Sequence, residues 1–443
     1  MQNKKENRQQ KLMLLPPLEA FIPEDHPLRK LNRVLDLNFI HESVRGYYCQ
    51  DNGRPSIDPE VIIRLFLIQA MEGIPHVRDL MRQVQVNLAY RWFIGYELDE
   101  PLPDHSTLSK SLDRFGEAIF NDLFERSIRQ CRGSGLIGGK LLHLDATTIR
   151  ADLDRDKVGK PGSSDPDASY GHFPDGRNRP SYKQHIAVDN QARVVVGMEV
   201  TSGDRYEGKE AVGLMDQVTD RLGIMPEAVC ADMAYGSGEN RAAMDDRGTR
   251  LVSPPKPFSS AGGDYFTIEE FHYDETKDEF TCPAGTTLKY MGSDRKRPDR
   301  RLYRASKKEC RGCSIKGKCT RSTARNLKVS KDHAALIRLR ADSRTDSFKQ
   351  LYRARAPVVE GVFAEEKCWH GMRRAWRRGL SKMRVQCLLI AAVINFKRLI
   401  ASFILQNGRC NALIGAFWLQ WSYFFHQLSV NGKYRLRELE SRL

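Results

Sequence analysis

The chain has 443 residues, with 71 Lys and Arg against 56 Asp and Glu, a formal net charge of +15 and a pI near 9.3. That length leaves room for about three domains, and that balance favours a polyanionic partner. Ten cysteines in so long a chain do not suggest a disulfide scaffold, and the apolar run Leu12 to Leu15 is too short for a secretory signal, so a cytoplasmic protein is expected.

Residues 56 to 115 read as a run of helices. Asp58 followed by Pro59 supplies an N-cap and a preorganised first turn, an apolar run from Val61 to Ala70 follows, and Gly73 ends it. Val77, Leu80, Met81 and Val84 repeat at helical spacing, and Leu108, Leu112 and Phe115 predict a further helix after Asp104. Short helices with tight turns fit a helix-turn-helix arrangement or any small helical bundle.

From Lys140 the pattern changes to strands: Leu141 to Ala146, then, after a loop rich in Gly, Pro, Ser and Asp, His185 to Val188 and Val194 to Val200. Ala211, Leu214, Met215, Val218 and Leu222 mark a helix, and Ala228 to Ala231 a buried strand that leads into Asp232. A mixed sheet with helices packed on it accommodates this order. Residues 254 to 345 break the rhythm with prolines, short aromatic strands and four cysteines, as expected of an insertion with its own small core. Helical pattern resumes near Asp346 and places Glu360 beside Val358, Val359, Val362 and Phe363. The apolar stretch Cys387 to Leu405 is interrupted by Asn395, Lys397 and Arg398 and reads as a buried helix rather than a membrane span.

Three acids stand in settings suited to metal chemistry: Asp145 and Asp232 at the ends of apolar runs, and Glu360 on a helix seven residues before Lys367. Phosphoryl transfer at nucleic acid uses two divalent ions roughly 4 Å apart, and hard cations take carboxylate oxygens. Seven residues are almost two helical turns, so Glu360 and Lys367 share one face, where a metal ligand and a phosphate contact could reach the same strand. A surface acid or a helix cap is the commoner fate of any one Asp, and Asp152, Asp154, Asp156 and Asp189 remain alternatives near the first candidate.

The segments HLDATTIRAD, DMAYGSGEN and YRARAPVVEGVFAEEK resemble those of bacterial insertion-sequence transposases of the DDE type, in the broad IS4 and IS5-like grouping and nearest its IS1182-like branch. The resemblance spans about residues 15 to 400. It implies an α/β fold in which an RNase H-like mixed sheet forms the catalytic core, a β-rich insertion interrupts it and an all-α region precedes it. It implies that Asp145, Asp232 and Glu360 are catalytic and bind Mg²⁺ or Mn²⁺. Tyr235 and Asn240 match companion positions after the second aspartate, and Lys183 and His185 match a segment of the second strand. Tyr352 and Arg355 match the signature before the glutamate, one residue farther from it than usual, and Gly361 stands where relatives have proline; Lys183, His185, Tyr235, Tyr352, Arg355 and Lys367 are expected to contact DNA. The implied partners are DNA, as terminal inverted repeats and as target, and a second copy of the chain. The expected location is the bacterial nucleoid.

Cys310, Cys313 and Cys319 form C-x2-C-x5-C, with Cys282 28 positions before Cys310, a set able to close a structural Zn²⁺ site but lacking the second close cysteine of a double knuckle. Arg373, Arg374, Arg377 and Arg378, interleaved with Trp369 and Trp376, suit contact with phosphates and bases. The expected division is a helical region for DNA binding or assembly at 1–135, a core at 136–253 and 346–405, a basic cysteine-containing insertion at 254–345, and a tail at 406–443.

Overall fold

The computed structural model describes residues 16–48, 56–257 and 265–406; the aromatic tail lies outside them. Helices come first: α1 (Pro27–Val34), α2 (Ile40–Val44), α3 (Pro59–Met71), α4 (Val77–Val86), α5 (Leu88–Ile94) and α6 (His105–Gly133). The Asp58 carboxylate accepts the Glu60 N–H at 2.8 Å and Pro59 fills the first helical position, so α3 starts where both devices sit. Nearly all of α3 is buried, from Ile62 to Ala70, which makes it a core helix rather than one free to enter a groove. Gly73 follows with φ +62°, and a Cβ there would meet the Trp369 carbonyl oxygen at 2.7 Å, so the turn requires glycine for conformation and for space. In α4 the stripe Val77, Leu80, Met81 and Val84 is buried. Asp104 caps α6, which bends at Gly116 and runs well past the expected stretch.

The larger sheet is built from β1 (Leu141–Arg150), β2 (Ser169–His172), β3 (Asn178–Asp189), β4 (Val195–Ser202), then α7 (Ala211–Leu222), β5 (Ala228–Cys230), α8 (Gly238–Asp245) and β6 (Arg250–Val252). β3 pairs antiparallel with β1, β2 and β4, while β1, β5 and β6 run parallel, giving the order β2-β3-β1-β5-β6 with β4 also paired to β3, so that β4-β3-β1-β5-β6 is a second hydrogen-bonded path. The register sets Asp145 opposite Ile186.

A second, antiparallel sheet follows: β7 (His272–Asp274), β8 (Glu279–Thr281), β9 (Thr287–Ser293), β10 (Arg300–Ala305) and, after the short helix α9 (Lys307–Arg311), β11 (Asn326–Ser330). Its core is separate and small: Phe271, Phe280, Leu288, Tyr303, Ala305, Leu327 and Val329. The chain then returns through α10 (His333–Asp342) and α11 (Asp346–Arg353) to α12 (Arg355–Trp369), which packs on β1, and α13 (Leu380–Gln406), which packs on α6, α3 and β4.

α13 is long and apolar enough to cross a membrane, yet it is the central helix of the larger core, which the N-terminal helices and the sheet share. Asn395 explains how a polar residue survives there. Its amide donates to the Val195 carbonyl at 2.9 Å and to Ser127 Oγ at 3.0 Å, and its oxygen accepts the Val195 N–H at 2.9 Å. Both backbone groups of Val195 on the edge of β4 are thereby satisfied, at a depth where an orphan amide costs about 1–3 kcal/mol.

Candidate active site

β5 pairs with β1 only as far as Cys230 opposite His143. Asp232 and Asp145 each lie two residues beyond that last rung, so the two parallel strands deliver them at the same level of the sheet, where the strands part and the edge opens. Burial raises the Asp145 carboxyl to about 6, against the stabilising guanidinium of Arg355, and the negative charges of Asp232 and Glu207 push it the same way. Arg355, on the first turn of α12, reaches Asp145 Oδ2 at 2.8 Å. Asp232 Oδ1 accepts the Ala234 N–H at 2.9 Å and so starts the turn Met233–Tyr235.

Glu207 is the site residue the sequence reading missed. It lies in the link between β4 and α7, and that link is clamped onto the Asp232 turn. Tyr206 donates its hydroxyl to the Ala234 carbonyl, and Asn240 Nδ2 donates to the carbonyls of Gly208 (2.9 Å) and Tyr235 (3.0 Å). A Cβ on Gly208 would meet the Ala234 oxygen at 2.4 Å, so the two segments touch backbone to backbone. Glu207 holds Lys183 Nζ at 3.1 Å. The available signal was an acid shortly after an apolar strand, the same that marked Asp145 and Asp232, blurred here by the six residues Thr201 to Tyr206 that intervene after Val200.

Glu360 is exposed on α12, on the flank that helical spacing shares with Lys367. Lys367 is half-buried, its amine lowered chiefly by burial, and it donates to Thr147 Oγ1, next to Asp145 on the same sheet face. Among the described residues no three His, Cys, Asp or Glu side chains are drawn to metal-ligand spacing, so Glu360 is not gathered with the aspartates. The carboxylate that α12 does bury against the sheet is Glu366, whose Oε1 accepts Gln184 Nε2 at 3.1 Å and whose other oxygen has no partner. Burial lifts it to about 8, so it is largely neutral at pH 7.

Several expected DNA contacts are corrected by burial. His185 is fully buried on the sheet face opposite Asp145, its ring bonded to Thr201 Oγ1 at 2.9 Å and pushed by burial to about 3, so it is a neutral core residue. Tyr235 is fully buried with an unpartnered hydroxyl, its ionisation opposed by burial and then by Asp145, Glu207 and Asp232; it lies beneath the acids, out of reach of a nucleic acid. Lys183 is turned to Glu207 and the Arg205 carbonyl. Tyr352 stacks on Phe348, and Arg377 is half-buried. Arg373, Arg374 and Arg378 are exposed.

The arginines are tied to the site by backbone. The Ala375 N–H donates to the Arg150 carbonyl at 2.8 Å and the Arg150 N–H to the Arg373 carbonyl at 3.3 Å, so this segment lies alongside the end of β1, five residues past Asp145. Asp152, one of the alternative acids, pairs with Arg374 and Arg378, and Asp189, another, caps the Gly138 and Gly139 amides; both carboxylates are engaged away from the aspartate pair.

The donor set fits hard divalent cations. The negative charges of Asp232 and Glu207 raise the cost of ionising the buried Asp145, and the guanidinium of Arg355 stands against Asp145 as a cation would.

Residues 16–114 match the family described as Transposase domain (DUF772), and residues 281–400 match the Transposase DDE domain. The second match takes in Glu360, Lys367 and the arginines, while both aspartates lie before it. No curated protein matches the chain. Among solved structures, the chain is similar to the piggyBac transposase synaptic complex with hairpin DNA, at 11% identity over 87% of this chain and 82% of that one, with a TM-score of 0.35. The Mos1 transposase paired-end complex is 12% identical over 53% and 69%, with a TM-score of 0.17. A simian T-cell lymphotropic virus intasome is 18% identical over 27% of this chain and a third of its own (33%), with a TM-score of 0.18. Scores so low bear on neither fold nor function, and the two domain matches decide the class. Carrying both a transposase domain and a transposase DDE domain, the chain is an insertion-sequence DDE transposase, a metal-dependent polynucleotidyl transferase.

Proposed function

We propose that the chain cleaves DNA at the ends of its element and joins the freed 3′ ends to target DNA. The observation that carries this reading is the delivery of Asp145 and Asp232 to one level of adjacent parallel strands, with α12 reaching the same place through Arg355. The path β4-β3-β1-β5-β6 supports an RNase H-like core. Asp145, Asp232 and Glu360 would hold divalent cations, Mg²⁺ or Mn²⁺, which when bound lower the cost of charge on the attacking and leaving oxygens.

The chain's own residues do the rest. Arg355 keeps the Asp145 carboxylate aimed into the cleft. Lys367, on the flank of Glu360, offers an ammonium to a phosphate, and Arg373, Arg374 and Arg378 extend that positive surface beside the end of β1 along a DNA backbone. Asn240 fixes the Glu207 link against the Asp232 turn, which keeps a third carboxylate near the pair. A water and then a 3′ hydroxyl serve as successive nucleophiles, so no covalent enzyme intermediate is needed. Two copies, one per end, complete the reading. The division into an N-terminal DNA-binding or assembly region, a core and an insertion belongs to the same proposal.

Labelled DNA carrying the element's terminal repeats, incubated with a target plasmid and Mg²⁺, tests it. Label joined to plasmid is expected. Cleaved ends without joining would make the chain a nuclease, and binding without cleavage a silent DNA-binding derivative.

A further inference from the structure

We propose that Cys282, Cys310, Cys313 and Cys319 bind one Zn²⁺ as a four-thiolate structural site that closes the second sheet. The four come from three separate segments: the turn between β8 and β9, the end of α9 with the second residue after it, and the turn following Lys316–Lys318. They nonetheless line a single cavity of about 20 Å³, space for one water-sized particle and too little for an organic ligand. The remaining lining is Pro283, Ala284, Thr286, Ala305, Ile315, Lys316, Thr320 and Arg325, with no acid or histidine to favour a harder cation.

The turn at Cys282 is shaped for a ligand. Cys282 N–H donates to the Thr286 carbonyl at 2.9 Å, Gly285 takes φ +81° and donates to the Cys282 carbonyl at 2.8 Å, and Thr286 N–H points back at Cys282 Sγ at 3.3 Å. A backbone N–H aimed at sulfur stabilises a thiolate over a thiol. Arg325 braces the opposite wall, bonding the Cys319 carbonyl at 2.6 Å and the Phe266 carbonyl at 2.8 Å, and its charge offsets part of the net negative charge that four thiolates leave around one Zn²⁺.

The need for such a staple is physical. Among the described residues the apolar cluster of the second sheet holds seven buried residues, and Cys282, Cys310 and Cys319 pack directly on them, so a metal there extends a small core. The sulfurs stand wider than ligand spacing, and metal binding would draw them inward by side-chain rotation. By contrast, Cys131, Cys230 and Cys387 are buried apart in the larger core, and Cys368 is exposed on α12.

The test is metal content of the full-length protein, expressed with zinc and purified under reducing conditions without chelator. One zinc per chain is expected, falling to none in the Cys310→Ser/Cys319→Ser double variant and staying at one in Cys368→Ser. A zinc-free wild-type chain, or a double variant that keeps its zinc, would overturn the proposal. Should the double variant fail to fold, the wild-type chain loaded with Co²⁺ decides. Thiolate-to-cobalt charge transfer with strong tetrahedral bands supports the site, and weak octahedral bands sink it. Because the readout is metal content and spectrum, the outcome is independent of DNA cleavage.

Discussion

Replacing Asp145 by asparagine lowers strand cleavage by at least about 10³-fold while binding to the element's ends stays within a few-fold. The side chain keeps its size and one oxygen, so Arg355 keeps a partner and the sheet is undisturbed, but the charge needed by a hard cation is gone. Asp232→Asn has the same effect, since both acids occupy the same level of neighbouring strands. The wild-type enzyme should also carry the signature of the raised Asp145 carboxyl. A proton competes with the cation, and because burial lifts this group to about 6, the Mg²⁺ needed for half-maximal cleavage increases as pH falls through 6 and levels off above 7. Cleavage rates against Mg²⁺ concentration from pH 5 to 8 measure this. A requirement independent of pH would mean that Asp145 does not hold the metal.

The second large effect separates two glutamates six residues apart on α12. Glu360→Gln abolishes cleavage and joining, by on the order of 10³-fold, and leaves end binding intact, because Glu360 is exposed on the flank that carries Lys367 and supports no part of the core. Glu366→Gln stays within a few-fold of the wild type. At pH 7 Glu366 is largely protonated, so the amide matches it in shape and charge, and its oxygen can still accept from Gln184 Nε2. Parallel cleavage and gel-shift assays of the two variants read both outcomes. Loss in Glu366→Gln with activity kept in Glu360→Gln would move the third carboxylate to the buried position.

The elements most legible from sequence are those whose causes are local. Asp58 and Pro59 start α3 because capping and a fixed φ act within one turn, and the apolar runs before Asp145 and Asp232 are β1 and β5 because buried parallel strands need continuous apolar sequence. What the sequence did not disclose depends on pairing across long separations. Which face His185 takes is set by its register with Ala146, and the two-residue overshoot of both aspartates appears only once His143 is seen opposite Cys230. Arg355 meets Asp145 across 210 positions, and Glu207 joins the site through Asn240 and Gly208, neither of which carries a charge to draw notice. The second sheet was visible as a change of rhythm, but the convergence of its cysteines needed the turn geometry of Cys282.

The central claim is that Asp145, Asp232 and Glu360 form one cation site. It is tested most directly by a crystal structure of the protein with cleaved terminal DNA and Mn²⁺, with data collected for anomalous scattering. Anomalous peaks are predicted within ligand distance of all three carboxylates, with Arg355 displaced from Asp145. Peaks held by Asp145, Asp232 and Glu207 with Glu360 left in solvent, or no peak beside the aspartates, would contradict it.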